Sequence, residues 1–195
     1  MAALTIATAP AAEPLSTAEA KSHLRVTTSA DDTLIDAMVK AARVYFEESL
    51  LGRALITQTW DYYLDGWPAS NAIQIPKPPL ASVTHVKYTD EDGTQSTFSS
   101  SDYSVDTDSF FGRVVLDADA SWPADNLHPK NPIVIRFVAG YGTAGSDLPE
   151  DIWHGLKIMV ADLYEARETV VTGTIVARLN TIQMLTENYR AYNFA

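Results

Sequence analysis

The run Gly52-Arg53-Ala54-Leu55-Ile56-Thr57-Gln58-Thr59-Trp60-Asp61-Tyr62-Tyr63-Leu64 is where one periodicity gives way to another. Upstream of it, Leu34, Ile35, Met38, Val39, Ala42 and Phe46 recur three and four apart, which gathers them on one helix face. Within it, Ile56, Trp60, Tyr62 and Leu64 fall on alternate positions in a stretch rich in Thr, Trp and Tyr, the spacing and composition of a strand. Gly52 suits the left-handed position that ends a helix. The chain therefore passes here from helix to sheet, and the same alternation marks Trp60 and Tyr62 as core rings before sugar-stacking ones.

Working back towards the N-terminus, Asp31 and Asp32 predict an N-cap for a helix over 31–51. A shorter helix over 15–26 opens at Leu15-Ser16-Thr17-Ala18-Glu19, where Ser16 and Glu19 have capping-box spacing. Residues 1–14, rich in Ala, Thr and Pro, read as an extended or mobile arm.

Downstream, strands are predicted at 73–75, 83–89, 95–98, 103–105, 112–116 and 133–138. The run Asp90-Glu91-Asp92-Gly93 makes a turn between two of them, and Pro76, Pro78 and Pro79 keep an extended link. Pro149, Glu150 and Asp151 then start a third helix over 149–170, of about 20 residues and on the order of 30 Å. The fold class expected is α+β: a small helical bundle of two N-terminal helices and a long C-terminal one, with an antiparallel β unit inserted over 55–139. The connecting domain spans 15–173, between the arm at 1–14 and a C-terminal tail at 174–195.

Composition bounds the function. A hydrophobic share of 46% with 20% charged residues describes a chain that folds. No stretch reaches the roughly 18 consecutive apolar residues of a membrane helix, and the start lacks a signal-peptide pattern, so a chain made in the cytoplasm and independent of membranes is expected. Cysteine is absent, which removes disulfides, thiol nucleophiles and thiolate metal sites. A net charge of −11 argues against gripping nucleic acid. Acidity of this size ordinarily serves solubility, and it also suits a surface past which DNA slides.

No constellation of an enzyme is present. His23, His85, His128 and His154 are scattered, without metal-ligand spacing, and there is no nucleophile elbow or phosphate-binding Gly-Lys-Ser/Thr loop. Gly140-Tyr141-Gly142 follows a strand without the lysine of such a loop and reads as a turn. Nine acids (Asp90, Glu91, Asp92, Asp102, Asp106, Asp108, Asp117, Asp119, Asp125) face one base, Arg113, over 90–125; they lack the regular oxygen spacing of a calcium loop and read as a solvated face. No catalytic residue, cofactor or metal is expected. Trp67 and Trp122, each followed by proline in a loop, are candidates for contacts between subunits.

Several segments in order are similar to the head-tail connector (adaptor, or head-completion) family of long-tailed phages and gene transfer agents. They are Leu15 to Val26 with Asp31 to Ile35; Gly52 to Trp60, the most specific; Ile75-Pro76-Lys77-Pro78-Pro79-Leu80-Ala81-Ser82-Val83; and Phe137-Val138-Ala139-Gly140-Tyr141-Gly142 with Leu148-Pro149 and Leu163 to Glu168. The resemblance covers about 15–170. It implies a virion protein at the head-tail interface, a ring of about twelve copies beneath the portal. The ring would extend the DNA channel, without sequence-specific DNA binding, and carry a stopper or tail-terminator protein. The alternative is a carbohydrate- or receptor-binding β module of a phage tail.

The tail keeps Arg178, Leu179, Ile182, Met184, Leu185, Tyr189, Arg190, Tyr192 and Phe194, types enriched at interface anchors. It either folds back on its own helices or leaves the body over 176–195 to dock on the portal. Family members whose C-termini reach the portal imply the second.

Overall fold

The structure is a computed structural model describing residues 2–124, 126–166 and 176–191, with backbone alone at 176–180. Its order is β1 (Ala3–Thr8), α1 (Thr17–Leu24), α2 (Asp32–Tyr45) with a π-helical turn (Phe46–Leu50), β2 (Gln58–Leu64), β3 (Ala72–Gln74), β4 (Leu80–Thr89), β5 (Gln95–Phe98), β6 (Tyr103–Asp106), β7 (Arg113–Leu116), β8 (Ile133–Ala139), α3 (Glu150–Glu165) and α4 (Val176–Thr186). Two compact units result. One takes Met1–Ala11 and Thr57–Tyr141, the other Ala12–Ile56 and Gly142–Ala195. The α+β class with an antiparallel β unit between helices is what the change of period predicted.

The first unit is all antiparallel: a five-stranded sheet in the order β1-β2-β8-β4-β5 and a three-stranded sheet in the order β3-β7-β6. Central strand β8 alternates cleanly, with Ile133, Ile135, Phe137 and Ala139 buried and the residues between them half-buried. Full burial of Ile or Phe stabilises by roughly 1.5–3 kcal/mol per side chain. Trp60 pairs with Phe137 and is 4% exposed, while Tyr62 and Leu64 are half-buried towards the end of β2. The two sheets meet where the Phe98 ring stacks on Tyr103 at 5.6 Å and where Leu80 crowds Gly112.

Residues 3–8 are extended, and as a strand: Leu4 lies opposite Tyr62 and Ile6 opposite Trp60. β1 thus forms one edge of the larger sheet, a pairing partner that composition around Ala and Pro did not reveal.

In the helical unit, Ile35, Val39, Ala42 and Phe46 of α2 and the turn after it are buried, as are Ile152, Leu156 and Val160 of α3. α1 starts with the expected capping box: the Ser16 hydroxyl accepts from the Glu19 N–H, and the Glu19 carboxylate accepts from the Ser16 N–H at 2.8 Å. Three local readings need correction. Asp31 occupies the N-cap of α2 but makes no capping bond; its Oδ2 accepts from the Tyr164 hydroxyl at 2.6 Å, tying α2 to the end of α3. Pro149 is the N-cap of α3 and not its first helical residue, its carbonyl accepting from the Trp153 N–H. The long helix over 31–51 is α-helical only to Tyr45. From there Phe46–Leu50 widens into a π turn, which turns Glu47 into the protein. Residues 167–170 of the expected third helix lie outside the described residues.

Candidate assembly interface

The junction Gly52-Arg53-Ala54-Leu55-Ile56 is built from the helical unit's interior. Gly52 has φ +67°, the left-handed conformation that glycine adopts without strain. Ala54, Leu55 and Ile56 are buried. The Leu55 N–H donates to Glu47 Oε1 at 2.9 Å, and Arg43 Nη1 donates to Glu47 Oε2 at 2.6 Å. Arg43 also donates through Nε and Nη2 to Glu13, closing a chain of charges at the π turn. Burial works against the Arg43 charge, and Glu13 and Glu47 overcome it, so its pKa lies above the ordinary arginine value.

This junction seats the C-terminal segment. Arg53 Nε donates to the Tyr189 carbonyl, and the Ala191 N–H donates to the Leu51 carbonyl at 2.7 Å. Ile182 is 2% exposed, and Thr186, fully buried, donates its hydroxyl back to the Ile182 carbonyl at 2.8 Å. Gly155 of α3 makes room: a Cβ there would stand 3.3 Å from the Phe46 ring and 3.5 Å from the Thr186 methyl. The described part of the tail therefore folds back on its own helices, contrary to the expectation that 176–195 leave the body. Its apolar groups do have a local partner, the surface around Phe46 and Gly155, which sequence spacing could not pair with them.

Of the nine tail candidates, Ile182 is thus core. Met184 is 78% exposed, and Leu185, Tyr189 and Arg190 are half-buried. Tyr192, Phe194 and the side chains of Arg178 and Leu179 lie outside the described residues. Trp67 and Trp122 come together instead of standing apart: their rings stack at 4.9 Å and 7° and adjoin Phe98, and the Trp122 N–H donates to the Ser70 carbonyl at 2.9 Å. Both stay half-buried, each with surface left for a neighbour.

Several of the polar candidates are satisfied locally. Asp90 Oδ1 accepts from the N–H groups of Asp92 and Thr94, shaping the turn. Asp106 is held well below the usual carboxylate range by Ser109 and then by Arg113. Ser104 donates to Asp117, and Asp125 lies outside the described residues. Gly140 donates its N–H to the Pro79 carbonyl, next to the pairing of Leu80 with Ala139, and the chain bends there. His23 titrates below its ordinary value through burial and then the charges of Lys157 and His154; His85 does so through burial, Lys87 and Arg136, against Asp61. The His128 ring lies against the Lys130 backbone. Among the described residues no group of three His, Asp or Glu is placed to hold a metal, and no helix is long and apolar enough to cross a membrane.

Sequence reading missed one feature: an uncovered apolar stripe on α2. Leu34 and Val44 are 40% and 43% exposed, with exposed Ala37 and Ala41 between them. Leu34, expected on the apolar face with Ile35, Val39, Ala42 and Phe46, faces outward instead, and the spacing 34-37-41-44 was the available signal.

Comparison with known proteins agrees with this architecture. No curated protein matches the chain. A chain from the neck of an empty gene transfer agent particle, computed with C6 symmetry, is similar with a TM-score of 0.81 and 25% identity, over 99% of this chain and 97% of that one. A chain from the virion of a native gene transfer agent particle gives 0.76 and 25%, over 98% and 97%. A third, from the neck of a native particle computed with C12 symmetry, shares the fold at 0.74 and 22%, over 99% and 97%. Residues 16–111 match the sequence model of phage gp6-like head-tail connector proteins. Those residues, just under half of the chain, carry its likeness to the phage gp6-like head-tail connector family.

Proposed function

We propose that this chain forms a closed ring of about twelve copies beneath the portal at the neck of a phage-like particle, where it extends the DNA channel and carries the stopper or tail terminator. The observation that supports this reading is the likeness, over 99% of the chain, to a chain resolved in a particle neck. Such a ring acts by symmetry and surface complementarity, with no chemical step. Its net charge of −11 lets DNA pass without being held.

The C-terminal segment is the portal-facing part in this reading. Met184, Leu185, Tyr189 and Arg190 present the contact, together with Arg178, Leu179, Tyr192 and Phe194, while Ile182 keeps the segment seated. Weak contacts repeated around a ring sum to firm attachment. Trp67 and Trp122 offer their remaining surface to the adjacent subunit.

The test is binding to purified, DNA-filled heads that bear the portal but lack this chain, read by co-sedimentation and negative-stain microscopy. Density at the portal vertex is expected. Binding spread over the capsid, or none, would overturn the proposal.

A further inference from the structure

We infer that the exposed stripe on α2, Leu34-Ala37-Ala41-Val44, is the seam by which one copy of this chain meets the next. This rests on the ring reading above and names the surface that closes it. The spacing of three, four and three residues sets these side chains in one line along about 15 Å of helix. That is the narrow stripe by which a helix meets a partner. The two central alanines allow close approach, and the two ends supply apolar groups that are already large and exposed. The opposite face is committed to the chain's own core: Ile35, Val39 and Ala42 are buried where α2 packs on α1 and α3. Among the described residues nothing covers the outer stripe.

Charge favours a second copy as its occupant. Two chains of net charge −11 repel wherever their acidic surfaces face each other. They can approach along a strip without charge, and this strip is uncharged over three turns. Lys40 stands at its flank and Glu48 at its end, so the rim offers one charge of each sign. Two chains similar in fold come from particle necks computed with six- and twelve-fold symmetry, an arrangement in which every copy has two neighbours. A contact that closes a ring is head-to-tail, so the seam meets a different surface of the neighbour and not another α2.

Because the chain has no cysteine, Lys40→Cys carries a single benzophenone label beside the seam. The labelled full-length chain is irradiated free, over a concentration series, and after addition to portal-bearing heads that lack it. Crosslinked peptides are then mapped by mass spectrometry. The expected result is a ladder of chain multimers beyond the dimer, with α2 joined to a neighbour's peptide outside α2. Leu34→Glu with Val44→Glu, both at exposed positions, should raise the concentration needed for assembly by at least about tenfold, with unchanged circular dichroism.

Multimers that persist undiminished in the double variant would overturn the seam and leave the ring reading standing. Species that stop at α2–α2 dimers would overturn it as well. Absence of multimers both free and on heads would overturn the ring reading and the seam with it.

Discussion

Glu47 is 3% exposed and is used twice, by the Leu55 N–H and by the Arg43 guanidinium. Glu47→Ala leaves Arg43 buried with half its partners and strands a backbone donor, so a loss of about 3–5 kcal/mol is expected in urea unfolding. On the sheet, Arg136 donates to both oxygens of Asp61, and this bonding, chiefly the hydrogen bonds, holds the Asp61 carboxyl below its ordinary pKa. A lowered folded-state value contributes stability above the unfolded pKa of about 4 and loses it as pH falls through the folded value. Asp61→Asn should therefore flatten the acid side of the stability profile below about pH 4, measured by thermal melts. At this scale the capping pair Ser16 and Glu19 was legible because its partners are three residues apart. The Asp31–Tyr164 bond was not, since it joins residues 133 positions apart, and neither was the burial of Glu47, which depends on a π turn that no local pattern announces.

Ser16→Ala removes the side-chain acceptor at the start of α1 and should cost about 1 kcal/mol in chemical unfolding. At the other end of the chain, α4 changes what a tail experiment can show. Deleting 180–195 would take Ile182 and Thr186 off the surface around Phe46 and Gly155, so the truncated chain should melt earlier, and its loss of portal binding would be ambiguous. Met184→Lys is the cleaner variant: at 78% exposure it should leave the melting temperature unchanged within error while weakening attachment to heads. Most elements could be read from period alone. β2, β5, β7 and β8 fall within a residue or two of the segments predicted for them. β1 and α4 could not. Each is a short segment whose structure depends on a partner far along the chain, Trp60 for one and Phe46 for the other.

Two units, one built on sheets and one on helices, come from a chain that crosses between them at Ala11–Ala12, Ile56–Thr57 and Tyr141–Gly142. The ordered motifs between residues 15 and 170 carried the family, and the missing constellations of an enzyme were visible without it. What the sequence did not offer was the outer stripe of α2, since an exposed row is recognised only once the buried one has been assigned. In the role proposed above, the whole molecule is defined by closure: identical copies, each with two unlike contacts, around an open centre wide enough for DNA. The most direct measurement is two-dimensional class averaging of portal-bearing heads after addition of the purified full-length chain. Closed, rotationally symmetric density with a central opening, coaxial with the portal vertex, is the result expected. Isolated copies scattered over the capsid, or open filaments growing from the vertex, would contradict it.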